Sequence, residues 1–168
     1  MTTMPDDRFE LPEAFGDGSV WADRVAERSY VGRNRRGVEI PIGSGEGQIN
    51  PGELLKLALI GCAGMSADFA IGRRLGPDFA ARLWAHGVAD PETDRYAEIG
   101  EQIQLDLEGL DDAGLARLVT VIGRAIDAGC TVQRTVEPGV AVHHTVLGAE
   151  PAPPAPVTET DPSEETPA

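Results

Sequence analysis

The segment from Leu54 to Met65, LLKLALIGCAGM, is apolar almost throughout, interrupted by Lys56 and two glycines. Its residues are helix formers, and Pro51 just ahead suits a first helical position because proline has no N–H to leave unpaired. A helix from about Gly52 to Leu75 is expected. A helix this greasy does not suit the surface of so small a monomer, and burial between two subunits would explain it. Cys62 lies within the run, and Cys130 is the second of two cysteines in 168 residues. A lone buried cysteine serves either as a small apolar filler or as a reactive thiol.

The chain is acidic, with net charge −14 and 41% hydrophobic residues. That balance argues against nucleic acid or an anionic membrane surface as a partner. No stretch is expected to reach the roughly 20 apolar residues that span a bilayer. The N-terminus carries early acids and no apolar leader core, so a cytoplasmic location is expected. In that reducing compartment two cysteines point to redox, catalytic or metal chemistry before a structural disulfide. Metal ligation is not expected. Neither cysteine sits in a CxxC, and His143 and His144 would face opposite sides of a strand.

Residues 1–19 mix Pro, Gly and acids without periodicity and read as a flexible arm. Residues 148–168 hold six prolines, five acids and no base, which predicts a disordered acidic tail. The folded body is then 20–147. Strands are expected at 20–31, 38–42, 81–89, 98–108 and 139–147, with a turn at GRNRRG (32–37). The strand at 98–108 alternates through Ile99, Glu101, Ile103, Leu105 and Leu107, an acid standing in the apolar phase. A second helix over 111–129 shows a stripe of Leu115, Leu118, Val119, Ile122 and Ile126, with an Asp start and a Gly stop. The order ββαββαβ predicts an α+β fold, an antiparallel sheet with two main helices. The glycine-rich loop at 43–52 lacks the Lys-Ser/Thr pair of a phosphate-binding loop.

Three segments carry a resemblance. NPGELLKLALIGCAGM is similar to the first cysteine segment of the OsmC/Ohr family, the osmotically induced and organic hydroperoxide resistance proteins. AIDAGCTVQRTVEPGVAVHHTVL resembles that family's second cysteine segment, and GRNRRGVEIPIG its arginine-bearing hairpin. The resemblance implies an OsmC-like fold in an intertwined homodimer, and thiol-dependent reduction of organic hydroperoxides to alcohols. By the same resemblance, Cys62 becomes a sulfenic acid, Cys130 closes a disulfide with it, and an external lipoyl-type dithiol restores both, with no bound cofactor. A non-catalytic or differently specific redox or ligand-binding protein is the alternative.

A free cysteine is mostly protonated at neutral pH, and Cys62 lies beyond the reach of its own helix's N-terminal dipole. A nearby cation is therefore expected to activate it. Arg33 is the candidate from the hairpin resemblance, with Arg35 and Arg36 behind it; a solvated turn explains all three equally. The resembling peroxidases place a carboxylate directly after the helix-starting proline, where this chain has Gly52. Its glutamate is one step later at Glu53, about 100° around the helix, where it also reads as a first-turn carboxylate paired to Lys56. Thr131 likewise follows Cys130 where the family usually has proline. Met65 and Phe69 share the helical face of Cys62 and read equally as core.

Overall fold

A computed structural model of the chain describes residues 16–147, with only the backbone of Leu147. The expected tail and most of the expected N-terminal arm lie outside the described residues. The first half of the order is β1 (Val20–Ala26), β2 (Ser29–Asn34), β3 (Glu39–Ile42), α1 (Pro51–Leu75) and β4 (Ala81–His86). There follow β5 (Ala89–Asp90), β6 (Arg95–Tyr96), β7 (Glu98–Leu105), α2 (Asp112–Gly129), α3 (Thr131–Val136) and β8 (Ala141–Leu147). The α+β class and the two long helices stand as expected.

Four details differ from the sequence reading. Residues 20–31 form not one strand but a hairpin, β1 and β2 pairing across Glu27 and Arg28, with Arg28 at φ 51°. No glycine or asparagine advertises that turn, which is why it was invisible. The strand expected at 81–89 ends at His86. Helix α3 occupies a stretch expected to be irregular. Finally, β7 and β8 are parallel, whereas β4 and β7 are antiparallel. The α2–α3 connection is long enough to carry the chain back to the starting end of the sheet, which is what a parallel pair requires.

Strands β1, β2 and β3 make one antiparallel sheet, and β4, β7 and β8 a second. The turn between β2 and β3 is built by Asn34, whose side-chain oxygen accepts from the N–H groups of Arg36 and Val38. Helices α1 and α2 cover the second sheet, and the core lies between them. Leu59, Ala63, Ala67 and Ile71 supply it from α1, Leu118, Ile122 and Ile126 from α2, and Ile103 and Leu105 from β7. Val119, expected in the α2 stripe, instead faces outward at 41% exposure.

Helix α1 starts with a reciprocal cap: Asn50 accepts from the Glu53 N–H at 2.9 Å, and Glu53 accepts from the Asn50 N–H at 2.8 Å. Only one stripe of α1 is covered. Leu57, Met65 (84% exposed) and Phe69 (74% exposed) stand on its open side. By length and composition α1 is apolar enough to cross a bilayer, contrary to expectation. Lys56 and the glycines break the apolar run without removing the average hydropathy of the helix.

Candidate two-cysteine site

Helix α1 carries Cys62, and Cys130 forms the joint between α2 and α3. Cys130 ends α2 with its N–H on the Ile126 carbonyl at 2.8 Å. It begins α3 with its Sγ, which accepts from the Gln133 N–H at 3.4 Å. The end of α2 comes close to α1 because residue 129 has no side chain: a Cβ there would press on Ser66 Oγ at 3.0 Å. Gly129 thus provides close approach as well as the helix stop expected from the sequence. Ser66 in turn donates to the Cys62 carbonyl at 2.8 Å. The result is that two free thiols, distant in sequence, lie near enough for each to shift the other's acidity.

Their environments push them apart in acidity. Partial burial alone would raise the Cys62 thiol. The Val132 N–H, the Cys130 thiol, the Thr131 N–H and Ser66 outweigh that and hold Cys62 below the ordinary cysteine value. Cys130 is 1% exposed. Burial pushes it up to about 11, opposed by the Gln133 N–H and reinforced by its neighbours Cys62 and Glu101. Cys62 is thereby the better thiolate, and Cys130 the proton donor between them. Cys62 opens on a groove of about 610 Å³ lined by Leu57, Ala58, Gly61, Met65, Ser66 and Gly129. Met65, kept out of the site on the sequence because core packing explained it equally well, is exposed and lines this groove.

Within the single chain, the backbone groups that lower the Cys62 thiol are the N–H groups of Val132 and Thr131. Arg33 is buried in β2, where it binds Asp23 and holds Glu39 at 2.9 Å. It is not among the groups acting on Cys62. Arg35 and Arg36 are exposed at the β2–β3 turn. Glu53 is exposed and its carboxylate is engaged in the α1 cap, matching the helix-start alternative; Lys56 instead lies over the Tyr96 ring, 5.4 Å from its centre. Gly52 has a local reason as well, since a side chain there would collide with the Tyr96 hydroxyl. Thr131 matters because the proline usual in the resembling proteins has no N–H to give to Cys62.

Behind Cys130 lies a polar cluster that the sequence reading did not assign. Glu101 on β7 is 2% exposed, with His144 Nδ1 3.0 Å from its Oε2. His144 Nε2 is 2.8 Å from Gln133 Oε1, and Gln133 Nε2 donates to Glu137 at 2.7 Å. His143 points the other way, 65% exposed, as strand alternation predicts. The signal for Glu101 was legible, an acid in the apolar phase of a strand. His144 and Gln133 carried no comparable mark, because their meeting depends on α3.

No known family profile matches the sequence. Uncharacterised proteins of Mycobacterium tuberculosis and Mycobacterium bovis are 42% identical over 130 residues, covering 76% of this chain and 95% of theirs. Among solved structures, an OsmC-like protein of unknown function from Vibrio cholerae matches with a TM-score of 0.61 at 14% identity, over 79% of this chain and all of that one. The organic hydroperoxide resistance protein OhrB of Bacillus subtilis matches with a TM-score of 0.54 at 14% identity, over 77% of this chain and 96% of that one. The chain belongs to one family with the mycobacterial proteins, and its fold is that of the OsmC and organic hydroperoxide resistance proteins.

Proposed function

We propose that the protein is a thiol-dependent peroxidase that reduces organic hydroperoxides to alcohols, Cys62 attacking the peroxide and Cys130 resolving the product. The observation that carries this reading is the neighbourhood of two free thiols whose acidities are shifted in opposite directions, the more acidic one facing an open groove. The Cys62 thiolate attacks the distal oxygen of ROOH. The O–O bond breaks, RO⁻ takes a proton and leaves as the alcohol, and Cys62 becomes a sulfenic acid. Cys130 sulfur then bonds to Cys62 sulfur, the S–O bond breaks, and water departs. An external dithiol of lipoyl type supplies two electrons and two protons to reopen the disulfide. The apolar groove favours alkyl or aryl hydroperoxides over hydrogen peroxide, and a reducing cytoplasm would keep the resting thiols free.

The same reading includes a homodimer. The open side of α1 and the outer residues of the N-terminal sheet, among them Val20, Tyr30 and Ile40, are apolar and exposed in the single chain, and a second copy would cover them. Arg33 enters the chemistry only if that copy brings it to Cys62. In turnover with cumene hydroperoxide and dihydrolipoamide, the wild type is expected to consume peroxide catalytically. Cys62→Ser consumes none, and Cys130→Ser consumes about one equivalent and stalls as a sulfenic acid that dimedone traps. A wild type that leaves both peroxide and thiols untouched would refute the peroxidase and favour an apolar-ligand-binding role for the groove.

A further inference from the structure

Glu101 stands between Ile99 and Ile103 on the buried face of β7. Taking a carboxylate out of water costs several kcal/mol unless hydrogen-bond donors replace the water. Neither of its oxygens has a well-directed hydrogen bond among the described residues; what faces it is the His144 ring at 3.0 Å. A buried pair of this kind adds little stability over apolar residues of the same shape, so its presence calls for another explanation.

Hydrogen-bond polarity locates the protons. The exposed Glu137 carboxylate only accepts, so the Gln133 amide nitrogen must face it, leaving the amide oxygen toward His144. That oxygen also only accepts, so His144 Nε2 carries a proton. Nδ1 is then left against Glu101, where two bare lone pairs would repel. A proton on the ring nitrogen removes that repulsion and leaves Glu101 a carboxylate that can still accept one. The pair adjoins Cys130. Gln133, which anchors His144 by its side chain, donates its backbone N–H to Cys130 Sγ, and the Glu101 charge is felt at that thiol. Among the described residues, Cys62 lies beyond Cys130 and Glu137 beyond Gln133; opposite Glu101 on β4 is Ala85.

The geometry points to Glu101, held by His144, as the group that accepts the Cys130 proton when Cys130 attacks Cys62. This role rests on the two-cysteine reading above. In the step, Cys130 Sγ bonds to the sulfenic sulfur of Cys62 as the S–O bond breaks. The Cys130 proton passes to the Glu101–His144 pair, hydroxide leaves into the groove, and the proton that the pair afterwards releases converts it to water. The Cys130 sulfur is oxidised and the Cys62 sulfur reduced, so no further oxidant is needed. The pair then releases its proton through His144, whose side chain is 17% exposed.

The test replaces peroxide with dithionitrobenzoate, so that it stands apart from peroxidase activity. Cys62 reacts first and releases one thionitrobenzoate; attack by Cys130 on the mixed disulfide releases the second. Glu101→Gln is expected to slow the second release at least about tenfold at pH 7 and leave the first within about twofold. Its rate should then climb about tenfold per pH unit, as attack by free thiolate does, whereas the wild type is shallower. His144→Gln slows it less, and Glu101→Asp restores part of the rate, which also covers a Gln variant that folds poorly. The competing account has the opposite sign. If Glu101 merely repels the Cys130 thiolate, Glu101→Gln makes the second release equal or faster, and the proposal falls. Slowed release in the variant, with no peroxide consumed by the wild type, would keep the proton acceptor and remove the peroxidase. No second release from the wild type would remove both.

Discussion

Cys62 and Cys130 shift one another's acidity, yet they belong to two different regions. The α1 side is open, apolar and ringed by small residues, and its thiol is stabilised as an anion by the N–H groups of Thr131 and Val132. The α2–α3 joint is closed, and its thiol is held protonated by burial and by negative neighbours. The difference teaches that burial and backbone dipoles alone push two chemically identical groups in opposite directions of acidity. A short helix that begins on Cys130 does both jobs: its first N–H groups reach Cys62, and its Gln133 ties Cys130 to the Glu101–His144 pair.

Alkylation should display the contrast most strongly. With iodoacetamide at pH 7, Cys62 is expected to label at least about a hundredfold faster than Cys130, because rate follows thiolate fraction. On raising the pH, Cys62 labelling should level off below the range of an ordinary cysteine. Cys130 labelling should keep rising toward about pH 11. Equal rates, read by peptide mass spectrometry, would erase the comparison.

A smaller effect isolates the source of the contrast. Thr131→Pro removes one N–H from Cys62 at a position where a helix start tolerates proline. Cys62 labelling at pH 6 should fall about three- to tenfold, the worth of one hydrogen bond to a charged group. Val132→Ala, which keeps its N–H, should change it little. Smallest is Arg33→Ala. With Arg33 held by Asp23 and Glu39 in the N-terminal sheet, labelling should change less than about twofold. A tenfold loss would instead place Arg33 over a Cys62 across a subunit interface.

Much of this was readable in the sequence and some was not, for definable reasons. The helix from Pro51 announced itself by its proline and its apolar run, and α2 by Asp111 and its spaced leucine and isoleucines. The cysteine pair was found by resemblance, because the spacing of two thiols says nothing about which helices meet. The parallel β7–β8 pair and α3 escaped because both depend on how the chain returns after Cys130, where CTVQRTV has no strong periodicity. The sequence offered only side chains such as Arg33 as activators of Cys62, because side chains are what a sequence displays. Backbone N–H groups, which every residue but proline carries, leave no trace in it. Glu101 was visible as an acid among Ile99, Ile103 and Leu105, but only the meeting with His144 and Gln133 gives it a chemical context.

The central claim is best tested by adding one equivalent of cumene hydroperoxide to the reduced protein and measuring intact and peptide masses within seconds. The account predicts the loss of two hydrogens, mapped to a Cys62–Cys130 disulfide, with the peroxide recovered as its alcohol. Unchanged mass, or oxygen added to Cys130 while Cys62 stays reduced, would contradict it.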